Sequence, residues 1–354
     1  MSDSPRIVAT GSAFPPNYYD QETILAALAD HLGERLPSRR RLEAFHRHVR
    51  VSGRHLALTI PEYVALRNFG DANDAWIRVA TDVGRRAIRA ALERAGIGPE
   101  RVDLVVSTTV TGIATPSLEA RLMNRIPFRR DLRRIPMFGL GCVAGVAGIA
   151  RVADFLRGRP DGVALLLSVE LCSLTLQRES ISVPNMIASG LFGDGGAAVV
   201  VGGAESGLEG GPQIIASRSV FYRDTERVMG WDVTERGLGI VLSSSVPRVV
   251  RDHVREDVDA FLADHGLTRA DIRSWVCHPG GPKVLEAMEE ALELDGEALA
   301  LTWDSLANVG NLSSTSVLLV LEQTMAERRP PPGSWGLMLA MGPAFCSELV
   351  LLRW

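Results

Sequence analysis

The sequence predicts an α/β protein made of two similar halves, roughly residues 1–200 and 201–354, packed into one body. The first observation is a repeat. ALERAGIGPERVDLVVSTT, from Ala91, and FLADHGLTRADIRSWVCHP, from Phe261, each read as the end of an amphipathic helix, a glycine stop, a short polar connection and a buried strand. Leu92/Leu262, Gly96/Gly266, Ile97/Leu267, Val102/Ile272 and Val106/Val276 match at a single offset of 170 residues. The second observation is that the likeness continues into the next elements. Leu-Gly-Cys-Val at 140–143 corresponds to Val-Gly-Asn-Leu at 309–312, at an offset of 169. The third is the order of elements, βαβ-like in each half, which implies mixed sheets covered by helices.

Taken along the chain, LPSRRRLEAFHRHVRVSGRH reads as a basic helix and loop. RIPMFGL is a strand that gives way at GLGCVAGVAG to a helix, and VALLLSVE is the apolar strand that follows. GDGG, from Gly193, lacks the strand-to-helix context and Lys-Ser/Thr ending of a phosphate loop and reads as a tight turn. In the second half STSVLLVLEQTMAE is the matching helix, ERRPPPGSW a proline-rich connection and WGLMLAMG the matching strand. No low-complexity tract separates the halves.

At 354 residues the chain can bury a large core. A formal net charge of -4 gives no global reason to expect nucleic acid as partner. No apolar run approaches the roughly 20 residues of a membrane-spanning helix, and MSDSPRIVAT lacks a secretory pattern, so a cytoplasmic protein is the expectation. Cys142, Cys172, Cys277 and Cys346 are far apart and form no CxxC pair, which argues for free thiols and against a zinc site.

Cys142 and Asn311 occupy equivalent points of the repeat, each expected at a strand end before a helix, and His278 ends the strand SWVCHPGGP. Alone, each has an ordinary structural explanation: a small core residue, a turn residue and a helix N-cap. Together they support acyl chemistry. A thiolate is favoured at a helix N-terminus and beside a histidine, and His and Asn donors can stabilise an oxyanion or enolate.

At these residues the chain resembles the type III polyketide synthases, the chalcone synthase-like members of the thiolase superfamily. GCVAG around Cys142, LFGDGGAAVVV from Leu191, WVCHPGGPKVLE around His278 and GNLSS around Asn311 carry the resemblance, which runs from GSAFPPNYYDQE to MGPAFCSELVLL. It implies a thiolase fold in a five-layered αβαβα arrangement, a homodimer, acyl-CoA and malonyl-CoA as substrates, and no metal or bound redox cofactor. Cys142 would carry the acyl chain; His278 and Asn311 would hold the malonyl thioester and stabilise its enolate. Phe192 matches a gate aromatic, and Arg41, Arg47 and Arg50 stand where the family binds CoA phosphates.

The chain departs from the plant pattern where Ile240 replaces a second gate phenylalanine, Thr115 a methionine contributed across the dimer, and Cys172, next to Thr175, a cavity threonine. Gly342 and Pro343 mark the cyclisation-pocket loop near Cys346, while Cys277 faces away from His278 by strand alternation. These changes, with phrases such as PMFGLGCVAGVAGIAR, point to a long-chain fatty acyl starter and an alkylpyrone or alkylresorcinol product. A β-ketoacyl-ACP synthase III-like enzyme and a cysteine-dependent acyl-CoA hydrolase are the alternatives; the first would prefer malonyl-ACP, and the second would release no CO2.

Overall fold

A computed structural model describes residues 4–354. Both copies of the repeated segment fold alike. Helix Phe69–Ala95 stops at Gly96, a short turn Pro99–Arg101 follows, and strand Leu104–Thr109 enters the sheet. Helix Val246–Ala263, turn Arg269–Asp271 and strand Ile272–Cys277 repeat the order. Gly96 and Gly266 both take φ of 66°, and the same bond closes each stop: Ile97 N–H to Leu92 O at 3.2 Å and Leu267 N–H to Leu262 O at 3.0 Å.

The first half forms a sheet in the order Arg133–Phe138, Leu104–Thr109, Val163–Leu171, Asp194–Gly202, Arg6–Ala13. The second half answers with Ile272–Cys277, Trp335–Gly342, Cys346–Arg353, Gln213–Phe221. The first half begins with two parallel pairings and the second with one, and in each two antiparallel pairings follow. The two sheets touch at Arg6 and Gln213, which join them into one continuous ladder. The last full strand of the first half runs past residue 200 to Gly202.

Five layers result. Helix Phe69–Ala95 covers the outer face of the first sheet through Val83, Ala87 and Ala91, which pack on Val105, Leu165 and Val200. Between the sheets lie helices Ala144–Arg157 and Ser316–Glu327, whose Val146, Ile149, Val317 and Leu321 meet Leu166 and Val199 of one sheet and Met338 and Val350 of the other. Helices Val246–Ala263 and Pro282–Leu292 cover the far face through Val250, Val254, Leu285 and Met288. Strands Val163–Leu171 and Asp194–Gly202 are buried at every residue, as strands covered on both faces must be. The chain thus adopts the duplicated αβαβα arrangement of the thiolase fold. Among the described residues no helix is long and apolar enough to cross a membrane.

Two local expectations need correction. The stretch before Asn311 is not a strand but helix Ala300–Val309, turned by Gly310 at φ 75°; its counterpart before Cys142, Arg133–Phe138, is a strand. Helix was selected there because Leu299 and Leu306 bury into the outer core of the second half, a one-sided helical spacing. Nor is GDGG a turn. Asp194 begins a buried strand, and its flanking glycines lie under Leu312, Phe14 and Val83, so they are small because other elements press on them.

The central helices approach most closely at Gly145, where a Cβ would collide with the Ser314 carbonyl oxygen and with Val317. Gly145→Ala should destabilise by about 1–3 kcal/mol, visible as a lower Tm, whereas Gly296→Ala, with nothing within 4 Å of its Cβ, should melt as the parent does. Equal melting of all three would show that the helices have room to spare.

Candidate active site

Cys142 sits in the turn Gly141–Val143 that feeds helix Ala144–Arg157, between the sheets and at the helix N-terminus. His278 directly follows strand Ile272–Cys277, its amide held by Leu339 O at 2.9 Å. Asn311 is fixed through its backbone in both directions: its N–H donates to Leu191 O at 2.9 Å, and its carbonyl accepts from Gly193 N–H at 3.0 Å, bridging it to Phe192. Its side chain ties two loops together. Nδ2 donates to Gly280 O at 3.1 Å and Oδ1 accepts from Ser313 N–H at 2.7 Å. Cys142, His278 and Asn311 line one cavity of about 430 Å³, mouth included, with Phe192, Met341 and Phe345.

All three side chains are buried, and dehydration sets their electrostatics. Burial pushes the Cys142 thiol up to about 12, assisted by the nearby Glu170 and opposed by Ser313, to whose Oγ the sulfur donates at 3.8 Å. Burial pulls His278 down to about 3, and neither ring nitrogen has a hydrogen-bond partner. Burial thus opposes ionisation of both groups in the resting cavity. The helix N-terminus at Cys142 acts in the opposite sense and favours the thiolate. The unpaired imidazole nitrogens remain available, one as donor and one as acceptor.

Phe192 is shared between this cavity and a larger, mainly apolar one of about 920 Å³, mouth included. Cys172, Thr175 and Ile240 line the larger cavity, with Leu28, Tyr63 and Trp231. Gly342 and Pro343 instead press on the Cys142 turn: the Pro343 ring lies against Gly141. Thr115 is exposed and lines neither cavity of its own chain. Arg41, Arg47 and Arg50 are exposed and line neither cavity; Arg41 lies over the Phe45 ring, and Arg50 pairs with Glu286 at 3.0 Å and lies over Trp303. Cys277 packs in the outer core, and Cys346 donates to Pro343 O at 3.4 Å. Among the described residues no group of three or more His, Cys, Asp or Glu is placed to hold a metal ion.

Sequence reasoning missed Ser313 and Glu170. Glu170, buried in the strand Val163–Leu171, accepts from Ser314 Oγ at 2.5 Å, Thr111 Oγ1 at 2.9 Å and Val110 N–H at 3.0 Å, and burial raises its pKa. A lone acid in the run VALLLSVEL, apolar but for Ser168, was the visible sign.

Comparison with known proteins matches residues 38–209 to the family described as FAE1/Type III polyketide synthase-like protein and residues 213–354 to the chalcone and stilbene synthases, C-terminal domain. The chain is 49% identical over 98% of its length, and 93% of the relative's, to a 1,3,6,8-tetrahydroxynaphthalene synthase of Streptomyces peucetius subsp. caesius. It is 36% identical to a putative chalcone synthase of Bacillus subtilis, with 89% of each chain covered. The crystal structure of 1,3,6,8-tetrahydroxynaphthalene synthase from Streptomyces coelicolor A3(2), described as a bacterial type III polyketide synthase, superposes with a TM-score of 0.92 at 28% identity, covering 98% of this chain and 99% of that one.

Neutral burial of His278 has a measurable cost. Its folded pKa lies below the ordinary 6.5, so its contribution to stability is complete above pH 6.5 and is lost as pH falls towards 3, by about 1.4 kcal/mol per pH unit. The raised carboxylates Asp194 and Glu170 act in the opposite sense, so the diagnostic is a difference between proteins. His278→Gln should lose less stability than the parent between pH 6.5 and 5 in denaturant titrations; parallel curves would mean that His278 protonates freely in the folded protein.

Proposed function

The chain belongs to the chalcone and stilbene synthase family of type III polyketide synthases, and from that premise we propose that it extends an acyl-CoA starter with malonyl-CoA by decarboxylative Claisen condensation. The carrying observation is that Cys142, His278 and Asn311, from distant parts of a duplicated chain, line one dehydrated cavity. In this reading the halves 1–200 and 201–354 divide the work, the first supplying the nucleophile and the second its two polar partners.

The Cys142 sulfur attacks the starter thioester carbonyl; its proton passes to His278 and then to the departing CoA sulfur, so charge separates only during transfer. Malonyl-CoA then binds with its thioester oxygen facing a His278 N–H and the second N–H of Asn311 Nδ2, the first being engaged by Gly280 O. Loss of CO2 leaves an enolate that these donors stabilise, the term that most lowers such barriers. The enolate carbon attacks the Cys142-bound acyl carbon, the carbon–sulfur bond breaks, and the chain is two carbons longer. Arg41, Arg47 and Arg50 would meet the CoA phosphates outside the cavity, with Arg50 released from Glu286 to do so.

For the starter we propose a long-chain fatty acyl-CoA, cyclised to an alkylpyrone or alkylresorcinol. The apolar cavity behind Phe192, opened by an aliphatic Ile240, suits a hydrocarbon tail. The 49% identity to a 1,3,6,8-tetrahydroxynaphthalene synthase favours a second reading, an aromatic product built by such an enzyme. Yet the Streptomyces coelicolor enzyme of that name stands at 31% in sequence, below the putative chalcone synthase at 36%, so the product name does not track identity. We also propose a homodimer formed along the unpaired edge strand Arg133–Phe138, where Ile135 and Phe138 are 44% and 57% exposed beside the exposed Ile113 and Leu140. Thr115, two residues from Ile113, would then lie at the partner's side.

Incubation with malonyl-CoA and acyl-CoAs of graded length, read by mass spectrometry, should give alkyl products from long starters; tetrahydroxynaphthalene from malonyl-CoA alone would overturn the starter assignment. Cys142→Ala should lose all chain extension while keeping the parent's Tm. Phe138→Asp should shift the protein from dimer to monomer in light scattering, and an unchanged mass would place the interface elsewhere.

A further inference from the structure

The wall of the larger cavity carries a hydrogen-bonded chain that the condensation steps do not use. Tyr63 Oη lies 2.5 Å from Ser173 Oγ, and Ser173 Oγ bonds the Asp194 carboxylate. Tyr63 and Ser173 both line the cavity on the side of Phe192 away from Cys142. Asp194 is completely buried and also accepts from Ser173 N–H at 2.8 Å and Ala57 N–H at 2.6 Å.

The hydrogens in this chain have one direction. An ionised carboxylate only accepts, so Ser173 donates to Asp194; the serine has a single proton, so Tyr63 donates to Ser173. Leu58 N–H, 3.3 Å away, donates to the phenol oxygen, and the Ala57 N–H that bonds Asp194 also acts on it. Hydroxyls that all point towards a buried carboxylate form a proton sink. A proton arriving at Tyr63 Oη displaces the tyrosine proton to Ser173 and the serine proton to Asp194. Burial strengthens the sink against the opposing pull of the buried Arg54 guanidinium: it pushes Asp194 up to about 6, making it a better base than an ordinary carboxylate, and raises the Tyr63 phenol well above its usual value, so that the phenol relays rather than ionises.

Resting on the polyketide synthase reading, we propose that Tyr63, Ser173 and Asp194 are a proton-accepting relay for ring closure, drawing a proton from the acidic methylene between two carbonyls of the extended chain. The methylene C–H bond breaks, its proton enters at Tyr63 Oη, and Asp194 ends as the neutral acid. The electron pair stays on the substrate as an enolate. Through carbon or oxygen, that enolate attacks the Cys142 thioester carbonyl; the ring bond forms, the carbon–sulfur bond breaks, and sulfur leaves as thiolate. The proton on Asp194 returns along the same hydroxyls once water follows the departing product, restoring the relay. No charge beyond the one Asp194 already held enters the cavity.

Tyr63→Phe keeps the ring and removes only the first link. With a long-chain starter and malonyl-CoA, rapid quench followed by intact-protein mass spectrometry should show extension on Cys142 at the parent's rate, a fall of at least about tenfold in steady-state product release, and accumulation of the fully extended chain on Cys142, since each 1.4 kcal/mol of barrier is a factor of ten. Ser173→Ala should give the same accumulation, and Tyr63→Phe should stay folded at the assay temperature, with Tm lowered only as far as the loss of its hydrogen bonds to Ser173 and Leu58 requires. Product release within twofold of the parent, or lost turnover with only unextended starter on Cys142, would overturn the relay and leave the condensation reading intact. A parent protein that releases no CO2 from malonyl-CoA would remove both.

Discussion

The site hangs on one contact, the close approach of the two central helices at their N-terminal ends. Gly145 of one faces the Ser314 carbonyl in the turn that leads into the other, and a buried polar seam fixes the pair to the first sheet: Ser168 Oγ meets Ser314 Oγ at 2.8 Å and Thr315 Oγ1 at 2.7 Å, while Ser314 donates to Glu170. Cys142 lies just before one helix and Asn311 just before the other, so this seam sets their relative position. Such a network is stable only when every member is satisfied, which makes the geometry specific as well as rigid.

Dehydration is the second constraint. The same burial that opposes ionisation of Cys142 and His278 strengthens any hydrogen bond they make to a substrate oxygen. No protein group bonds either ring nitrogen of His278, so both are free to bond a substrate oxygen. Phe192 lies between the cavity of Cys142 and the larger one that Tyr63 and Ser173 line, and its backbone bridge to Asn311 couples the gate to a group that would hold the malonyl thioester.

Much of this was legible in the sequence because the chain states its plan twice. The paired helix stops at Gly96 and Gly266 and the strands that follow them are local features, and local spacing encodes them. Cys142, His278 and Asn311 were visible as polar residues at corresponding points of that duplication. What was hidden is non-local. The helix before Asn311 depends on an outer core assembled by remote segments, and the raised thiol depends on burial that no motif records. Tyr63 and Ser173, 110 residues apart, share no motif, and the pairing of Arg50 with Glu286 joins residues 236 apart.

The central claim is that Cys142 carries the chain whereas Asn311, with His278, handles the malonyl group. Release of CO2 from malonyl-CoA by Cys142→Ala and by Asn311→Ala, measured side by side, tests that division most directly. The cysteine variant should keep decarboxylating without extending any chain, and the asparagine variant should fall by about a hundredfold or more, as loss of an oxyanion donor does. Equal loss of CO2 release in both variants would contradict it.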